Sequence, residues 1–352
     1  MDGMWGTSEP CPATAWRRVR GLLIWALAAG AFAGCCTHKT GGGVDSSSVE
    51  PYVRVAETGS NIVKLQIAAR EFAPARGRGP VVWLTGVSHV GDPGYYKALQ
   101  RHLDKQSLVL FEGISDRAHP SANGGAHAMT SPEGVSSAGD HSSLQSSLAA
   151  SMGLVFQLNA IDYDRPNFRN SDLSIPQLRE LLANGAPAQQ ETAAGERFEG
   201  VLQMMQGGSL FDSLLQFGLR FLGTSSKFQA LGRLALIEVI GDIQGDLARL
   251  QGLPPDMKQM LEVLLQRRNA QVLADLRMEM GRVGRKGSIA VFYGTGHMPD
   301  LEKHLRQDLR YRPSGQLWFT AFDVDLAKSG VTDSERQFLR SLIQQQLKQL
   351  RR

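Results

Sequence analysis

The sequence predicts an α/β fold, a mixed β-sheet core with flanking helices and a mostly helical insertion in its middle. Three observations carry that expectation. Continuous apolar runs at 81–85, 107–111 and 288–293 have the composition of strands buried on both faces. The first two are joined by a helix-patterned segment, giving a strand–helix–strand unit of about thirty residues. Between the second and third runs, residues 175–283 are mostly helical in pattern. A hydrophobic share of 42% and a charged share of 20% belong to a globular chain rather than a disordered one.

The chain opens on a polar stretch ending in Arg17-Arg18-Val19-Arg20, followed by an apolar run at 21–34 that meets Cys35. About fourteen apolar residues are short for a bilayer span but suit a signal-peptide core. Ala33 and Gly34 before Cys35 resemble a bacterial lipobox, although Phe32 stands where leucine is usual. That resemblance implies that residues 1–34 are a cleaved signal peptide and that the Cys35 sulfur is acylated, anchoring the protein to a membrane of the cell envelope. Cys36 is the alternative acceptor, and an ordinary secretory signal or an uncleaved anchor is the alternative reading. Residues 35–50, with three glycines and three serines, read as the lipidated cysteine and a flexible tether.

Beyond the tether, residues 51–330 read as one α/β domain and residues 331–352 as a C-terminal helix. Residues 62–67 alternate like a half-buried strand. Gly77-Arg78-Gly79-Pro80 is a turn, and the strand at 81–85 leads into Gly86-Val87-Ser88-His89. Pro93 suits the first turn of a helix whose apolar stripe is Tyr95, Leu99 and Leu103. The strand at 107–111 ends at Glu112-Gly113. Residues 117–148, rich in Ser, Gly, Ala and His, are too long for an ordinary connection and read as a lid or a disordered insertion. Residues 155–161 read as a further strand, followed by polar Asp162-Tyr163-Asp164. Within the helical middle, residues 195–222 are strongly apolar, and Pro254-Pro255 opens a long helix reaching Leu276. The strand at 288–293 leads into Gly294-Thr295-Gly296-His297 and a helix at 298–309. Residues 317–324 form the last strand, and Thr332 with Glu335 forms a capping box for the terminal helix. His102 and His304 lie in charged helical surroundings and read as surface residues.

The twin Gly-x-x-His is the principal chemical signal. In each copy an apolar strand ends near a glycine, Gly86 or Gly294, which lets the backbone turn sharply, and delivers a histidine to the loop at its carboxyl end. Open α/β sheets place their ligands at those ends. Neutral imidazoles there are ligands for Zn²⁺, Mn²⁺ or Co²⁺. Glu112 ends another buried strand, read as the neighbour of the His89 strand, and would complete a two-His, one-carboxylate site or act as general base. Arg267-Arg268-Asn269 falls in the long helix, where a charged pair is either a solvated face or supplies one arginine to clamp a carboxylate or oxyanion. Asp162, Asp164 and Asp172 follow the 155–161 run and could approach the same rim. The only cysteines are Cys11, Cys35 and Cys36, so a metal site in the domain must use nitrogen and oxygen ligands. The net charge of +4 is small, and no basic block with interleaved aromatics points to nucleic acid. No Gly-x-Ser-x-Gly, phosphate-binding loop, dinucleotide fingerprint or His-Glu-x-x-His is present.

Taken in order, Gly86-x-x-His89, the tyrosine-containing helix, the strand ending in Glu112, Arg268-Asn269 and Gly294-x-x-His297 resemble the TraB/GumN family, which includes the TIKI metalloproteases. The resemblance covers roughly residues 60–324, with 117–148 and part of the helical middle matching poorly. It implies a core related to the erythromycin-esterase and haem-binding ChaN-like folds. It also implies that His89, Glu112 and His297 surround a divalent metal ion with Arg268 nearby, and, for TIKI-like members, peptide-bond hydrolysis. Many members have no established reaction, and this chain carries Ser88 and Gly296 directly before its two histidines. The expected function is an envelope-anchored, metal-dependent hydrolase acting on a peptide or small molecule. The alternative is a non-catalytic envelope lipoprotein that holds a peptide, haem or other small ligand in the same pocket.

Overall fold

The computed structural model describes residues 49–113, 151–183, 225–243 and 255–350. Its strands are β1 (Val53–Thr58), β2 (Ile62–Pro74), β3 (Val81–Val87), β4 (Val90–Gly91), β5 (Leu108–Phe111), β6 (Val155–Phe156), β7 (Phe168–Asn170), β8 (Ser288–Gly294) and β9 (Tyr311–Asp325). Its helices are α1 (Pro93–Leu103), α2 (Gln157–Ala160), α3 (Ile175–Ala183), α4 (Ser226–Ile243), α5 (Pro255–Val283), α6 (Met298–Gln307), α7 (Leu326–Ser329) and α8 (Asp333–Leu350). Cys35 and the tether, the 117–148 insertion and the apolar 195–222 stretch lie outside the described residues. Among the described residues no helix is long and apolar enough to cross a membrane.

The fold is α/β with a mixed seven-stranded sheet. β3, β8, β5 and β7 run parallel in that order, and β2 pairs antiparallel with β3. β9 covers one edge of β2, while β1 and β3 share the other, β1 against residues 62–67 and β3 against 69–72. β4 and β6 form a separate two-stranded ribbon.

Alternation along the parallel strands explains why both sheet faces are covered. Ile289, Val291 and Tyr293 of β8 point to one face with Leu84 and Leu110, against Val272, Leu273 and Leu276 of α5 and Leu301 and Leu305 of α6. Ala290 and Phe292 point to the other with Val109 and Phe111, in a core that includes Leu99 and Leu103 of α1 and Leu234 and Ile237 of α4. Strands buried on both sides need this unbroken apolarity, which is why they are legible as runs. The capping box closes as expected: Thr332 Oγ1 accepts from the Glu335 N–H at 3.3 Å, and Glu335 Oε2 accepts from the Thr332 N–H at 2.9 Å.

Three expectations are corrected. β5 is not the neighbour of β3, because β8, from near the other end of the chain, lies between them and pairs with both. A strand–helix–strand crossover leaves room for such an insertion, and local patterning carries no sign of it. The 155–161 run is not one strand: it pairs only at Val155 and Phe156 and then turns into α2. Short apolar runs fit either period, and here the Gln157 N–H is taken by the His89 carbonyl at 2.8 Å rather than by a strand.

The third correction concerns His102, which is buried rather than exposed. It lies on the α1 stripe with Tyr95, Leu99 and Leu103, packed edge-on to Trp83, with Nε2 3.3 Å from Thr85 Oγ1. Burial, with Lys105 adding to it, pushes the ring down from 6.5 to about 4. A depressed histidine contributes stability above its unfolded pKa that is lost as pH falls toward the folded value, because the unfolded chain binds the proton first. Urea unfolding between pH 7 and pH 4 should therefore lose on the order of 3 kcal/mol through His102. In His102→Gln that part of the pH dependence should disappear; parallel profiles for the two proteins would contradict the assignment.

Candidate metal and catalytic site

The four parallel strands end on the same edge. Val87 faces Gly294, and Phe111 faces both Phe292 and Asn170. His89 follows Val87 by two residues, Glu112 follows Phe111 directly, and Asp172 follows Asn170 by two. His297 follows Gly294 at the end of a single 3₁₀ turn, Thr295–His297. Register therefore brings these four side chains to one rim.

Gly294 is the point on which they converge. A Cβ there would stand 3.3 Å from Glu112 Oε2, 3.7 Å from His89 Nε2 and 4.0 Å from His297 Cδ2. Its φ of −52° and ψ of 145° are open to any residue, so the expected sharp turn is not what requires glycine. Space requires it. The same holds for Gly86, where a Cβ would meet the Ala68 carbonyl oxygen, the Ile67 Cγ2 and the Thr295 Cγ2, each at 3.2 Å.

Both histidines are held in the same way. His297 is buried edge-on to Tyr293, and its Nδ1 lies 2.7 Å from Asn269 Oδ1. An amide oxygen only accepts, so Nδ1 carries the proton and the Nε2 lone pair is left toward Glu112 Oε1, 3.7 Å away. Burial pushes this ring down to about 4, against the pull of Glu112, so it is neutral at pH 7. His89 is exposed, with Nδ1 2.9 Å from Gln157 Oε1, and Gln157 Nε2 donates to the Tyr163 hydroxyl at 2.8 Å. Its Nε2 is the ring nitrogen that stands toward Gly294. The loop carrying His89 is pinned by two tyrosines of α1: the Ser88 N–H donates to Tyr95 Oη, and the Tyr96 hydroxyl donates to the Ser88 carbonyl.

Glu112 is fixed by charge. Its Oε1 accepts from Arg268 Nη2 at 2.7 Å, and its Oε2 accepts from the Gly294 N–H at 2.7 Å. Burial alone would raise this carboxyl. The Arg268 guanidinium, followed by His297, His89 and the Gly294 N–H, outweighs it and holds the group well below the usual carboxylate range. Arg268 also donates from Nε and Nη2 to the two oxygens of Asp172, at 2.9 and 2.5 Å. Arg268 and Asn269 stand one turn before Val272 and Leu273 on the buried face of α5, whereas Arg267 is exposed. The cluster holds two carboxylates against one guanidinium.

Of the residues expected here, His89, Glu112, Arg268, Asn269, His297 and both motif glycines come together, and Asp172 joins them. Asp162 does not: its carboxylate is about half exposed and pairs with Arg165 at 3.2 Å. Gln157 and Tyr163 were not anticipated. A glutamine inside an apolar run was the available signal, and the strand reading concealed it.

The chemistry of the donor set fits a divalent cation: two imidazoles, each with Nδ1 engaged by an amide oxygen, and a carboxylate. The ligand shell is not closed, however. Among the described residues no group of three His, Cys, Asp or Glu side chains is arranged to hold an ion as it stands. Ligand atoms on a tetrahedral ion with bonds of about 2 Å stand roughly 3.3 Å apart, so the 3.7 Å between His297 Nε2 and Glu112 Oε1 is a few tenths too long. Compared with protein-family models, with curated proteins and with solved structures, the chain matches none.

Arg268→Met should remove the guanidinium from between Glu112 and Asp172, at a cost of about 3–5 kcal/mol. Arg268→Lys keeps the charge but not the fork and should fall between. Chemical denaturation of the three proteins checks this, and equal midpoints would show that the bracketed guanidinium does not stabilise the fold.

Proposed function

We propose that this chain is a divalent-metal-dependent hydrolase of the TraB/GumN kind, with peptides as its substrate class, held in the cell envelope through acylated Cys35. One observation carries the reading. Two histidines from two strand ends, each with Nδ1 engaged by an amide oxygen, turn their Nε2 atoms toward the space over Gly294 that Glu112 also borders. Metal-binding histidines are commonly oriented in this way, by a hydrogen bond from the nitrogen that does not bind the ion.

His89, His297 and Glu112 would hold the ion, with Mn²⁺, Zn²⁺ and Co²⁺ as candidates for an all-nitrogen-and-oxygen site. A divalent ion supplies Lewis acidity there and brings the pKa of a coordinated water toward neutrality. The residues divide the remaining work. Glu112 is held so firmly as a carboxylate by Arg268 that it is a poor proton acceptor at neutral pH, which favours a ligand over a general base. Arg268 is a positioning residue on this reading: its Nε and Nη2 are engaged with Asp172 and Glu112, and it sets the Glu112 carboxylate rather than meeting an oxyanion. His89, the exposed member, is the side from which substrate approaches.

The full-length chain, purified in detergent and loaded with Zn²⁺, Mn²⁺ or Co²⁺, should retain metal after desalting and cleave members of a peptide library. His89→Ala and His297→Ala should abolish both, with far-UV circular dichroism unchanged. A wild-type chain that retains no ion, and variants that behave like it, would refute the proposal. Retained metal without turnover, or a Soret band on adding haem, would instead favour the ligand-holding envelope lipoprotein.

A further inference from the structure

Asn269 can present either end of its amide to His297, and the two choices have opposite consequences. With Oδ1 facing the ring, Nδ1 must carry the proton and Nε2 keeps its lone pair. With the amide nitrogen facing the ring, Nδ1 must accept, and the proton moves to Nε2, where it blocks metal binding and donates toward Glu112. The arrangement is decided one residue further out. Asn269 Nδ2 donates to Asp300 Oδ2 at 2.8 Å, and a carboxylate can only accept. The amide nitrogen is thereby committed to Asp300 and the amide oxygen to His297.

We infer that Asp300 is a positioning residue that sets the tautomer of His297 through Asn269. Asp300 lies in the first turn of α6, three residues beyond His297, and is partly buried. Its other oxygen, Oδ1, faces His304 Nε2 at 3.6 Å, and His304 is in turn held through Nδ1 by Asp308 at 2.7 Å. An acid in the first turn of a helix is ordinarily explained by the helix dipole. Here the same carboxylate also orients an amide buried against a strand-end histidine. The histidine on the other strand end has a weaker version of this device, since Gln157 Nε2 meets the Tyr163 hydroxyl, a group that can donate as well as accept. The consequence for metal affinity rests on the proposed metal site; the tautomer itself does not.

Nitrogen-15 NMR of the full-length chain labelled at histidine reads the tautomer directly, with His297→Gln assigning the signal. The metal-free wild type should show His297 protonated at Nδ1 and bare at Nε2. Asp300→Leu should lose that signature, shifting to the Nε2–H form or exchanging between the two, whereas Asp300→Asn, whose carbonyl still accepts from Asn269, should restore it. Asp300→Ser, too short to reach Asn269, gives the same readout should Asp300→Leu fail to fold. Zn²⁺ affinity should fall about 10–100-fold in Asp300→Leu and recover in Asp300→Asn. An Nε2–H wild type, or an Asp300→Leu and Asp300→Ser spectrum identical to wild type, would overturn the inference. A wild type that binds no Zn²⁺ but shows the expected tautomer shifts would sink the metal site and leave the role of Asp300 standing.

Discussion

The guanidinium of Arg268 lies between two carboxylates that the ends of two strands deliver, Glu112 from β5 and Asp172 from beyond β7. The order of the rim depends on that bracket. It ties the long helix α5 to the sheet edge, holds Glu112 ionised despite its burial, and fixes the carboxylate whose second oxygen takes the Gly294 N–H. Charges this deeply buried are tolerated because they are paired and further hydrogen-bonded: the Asp172 oxygens also accept from the Gly113 and Leu173 N–H groups.

The bracket draws on β5 and β7, which pair directly; the place of the histidines depends instead on β8. Because β8 runs between β3 and β5, His297 arrives at the centre of the rim, with His89 from one side and Glu112 from the other. Gly294, at the end of β8, then leaves open the space on which all three border. The backbone angles of this glycine suit any residue, and a side chain there would press on the Glu112 carboxylate, with His89 and His297 at ordinary contact distance. The two amide-to-histidine hydrogen bonds supply a second layer of order by deciding which ring nitrogen is left bare.

Much of the fold was legible along the chain because its signals are local. The runs that became β5 and β8 are continuous because both of their faces are buried, and Pro93 and the Thr332–Glu335 pair mark helix starts by chemistry confined to one turn. The candidate residues His89, Glu112 and His297 were legible for the same reason, each standing directly after such a run. Arg268 was ambiguous, since the charged pair Arg267-Arg268 in a helix is usually solvated; the spacing of four from Arg268 and Asn269 to Val272 and Leu273 was the sign that these two share the buried face. His102 carried the same sign on α1 and was misread. Gln157 carried only its place as a glutamine inside an apolar run, and Asp300 carried no sign, because what matters about it is its partner's partner.

The sequence by itself determined the α/β class, the identity of the strand-end residues and the exclusion of thiolate ligands, all properties of composition and short-range period. Only the tertiary structure decided that β8 enters between β3 and β5 and that Asp172 rather than Asp162 reaches the rim. Only it decided that Arg268 is committed to two carboxylates and that each histidine keeps its Nε2 free. Those outcomes depend on which distant groups meet, such as Asn269 with Asp300 or Gly294 with Glu112, and a hydrogen-bond partner separated by 31 or 182 positions leaves no periodic trace in the chain.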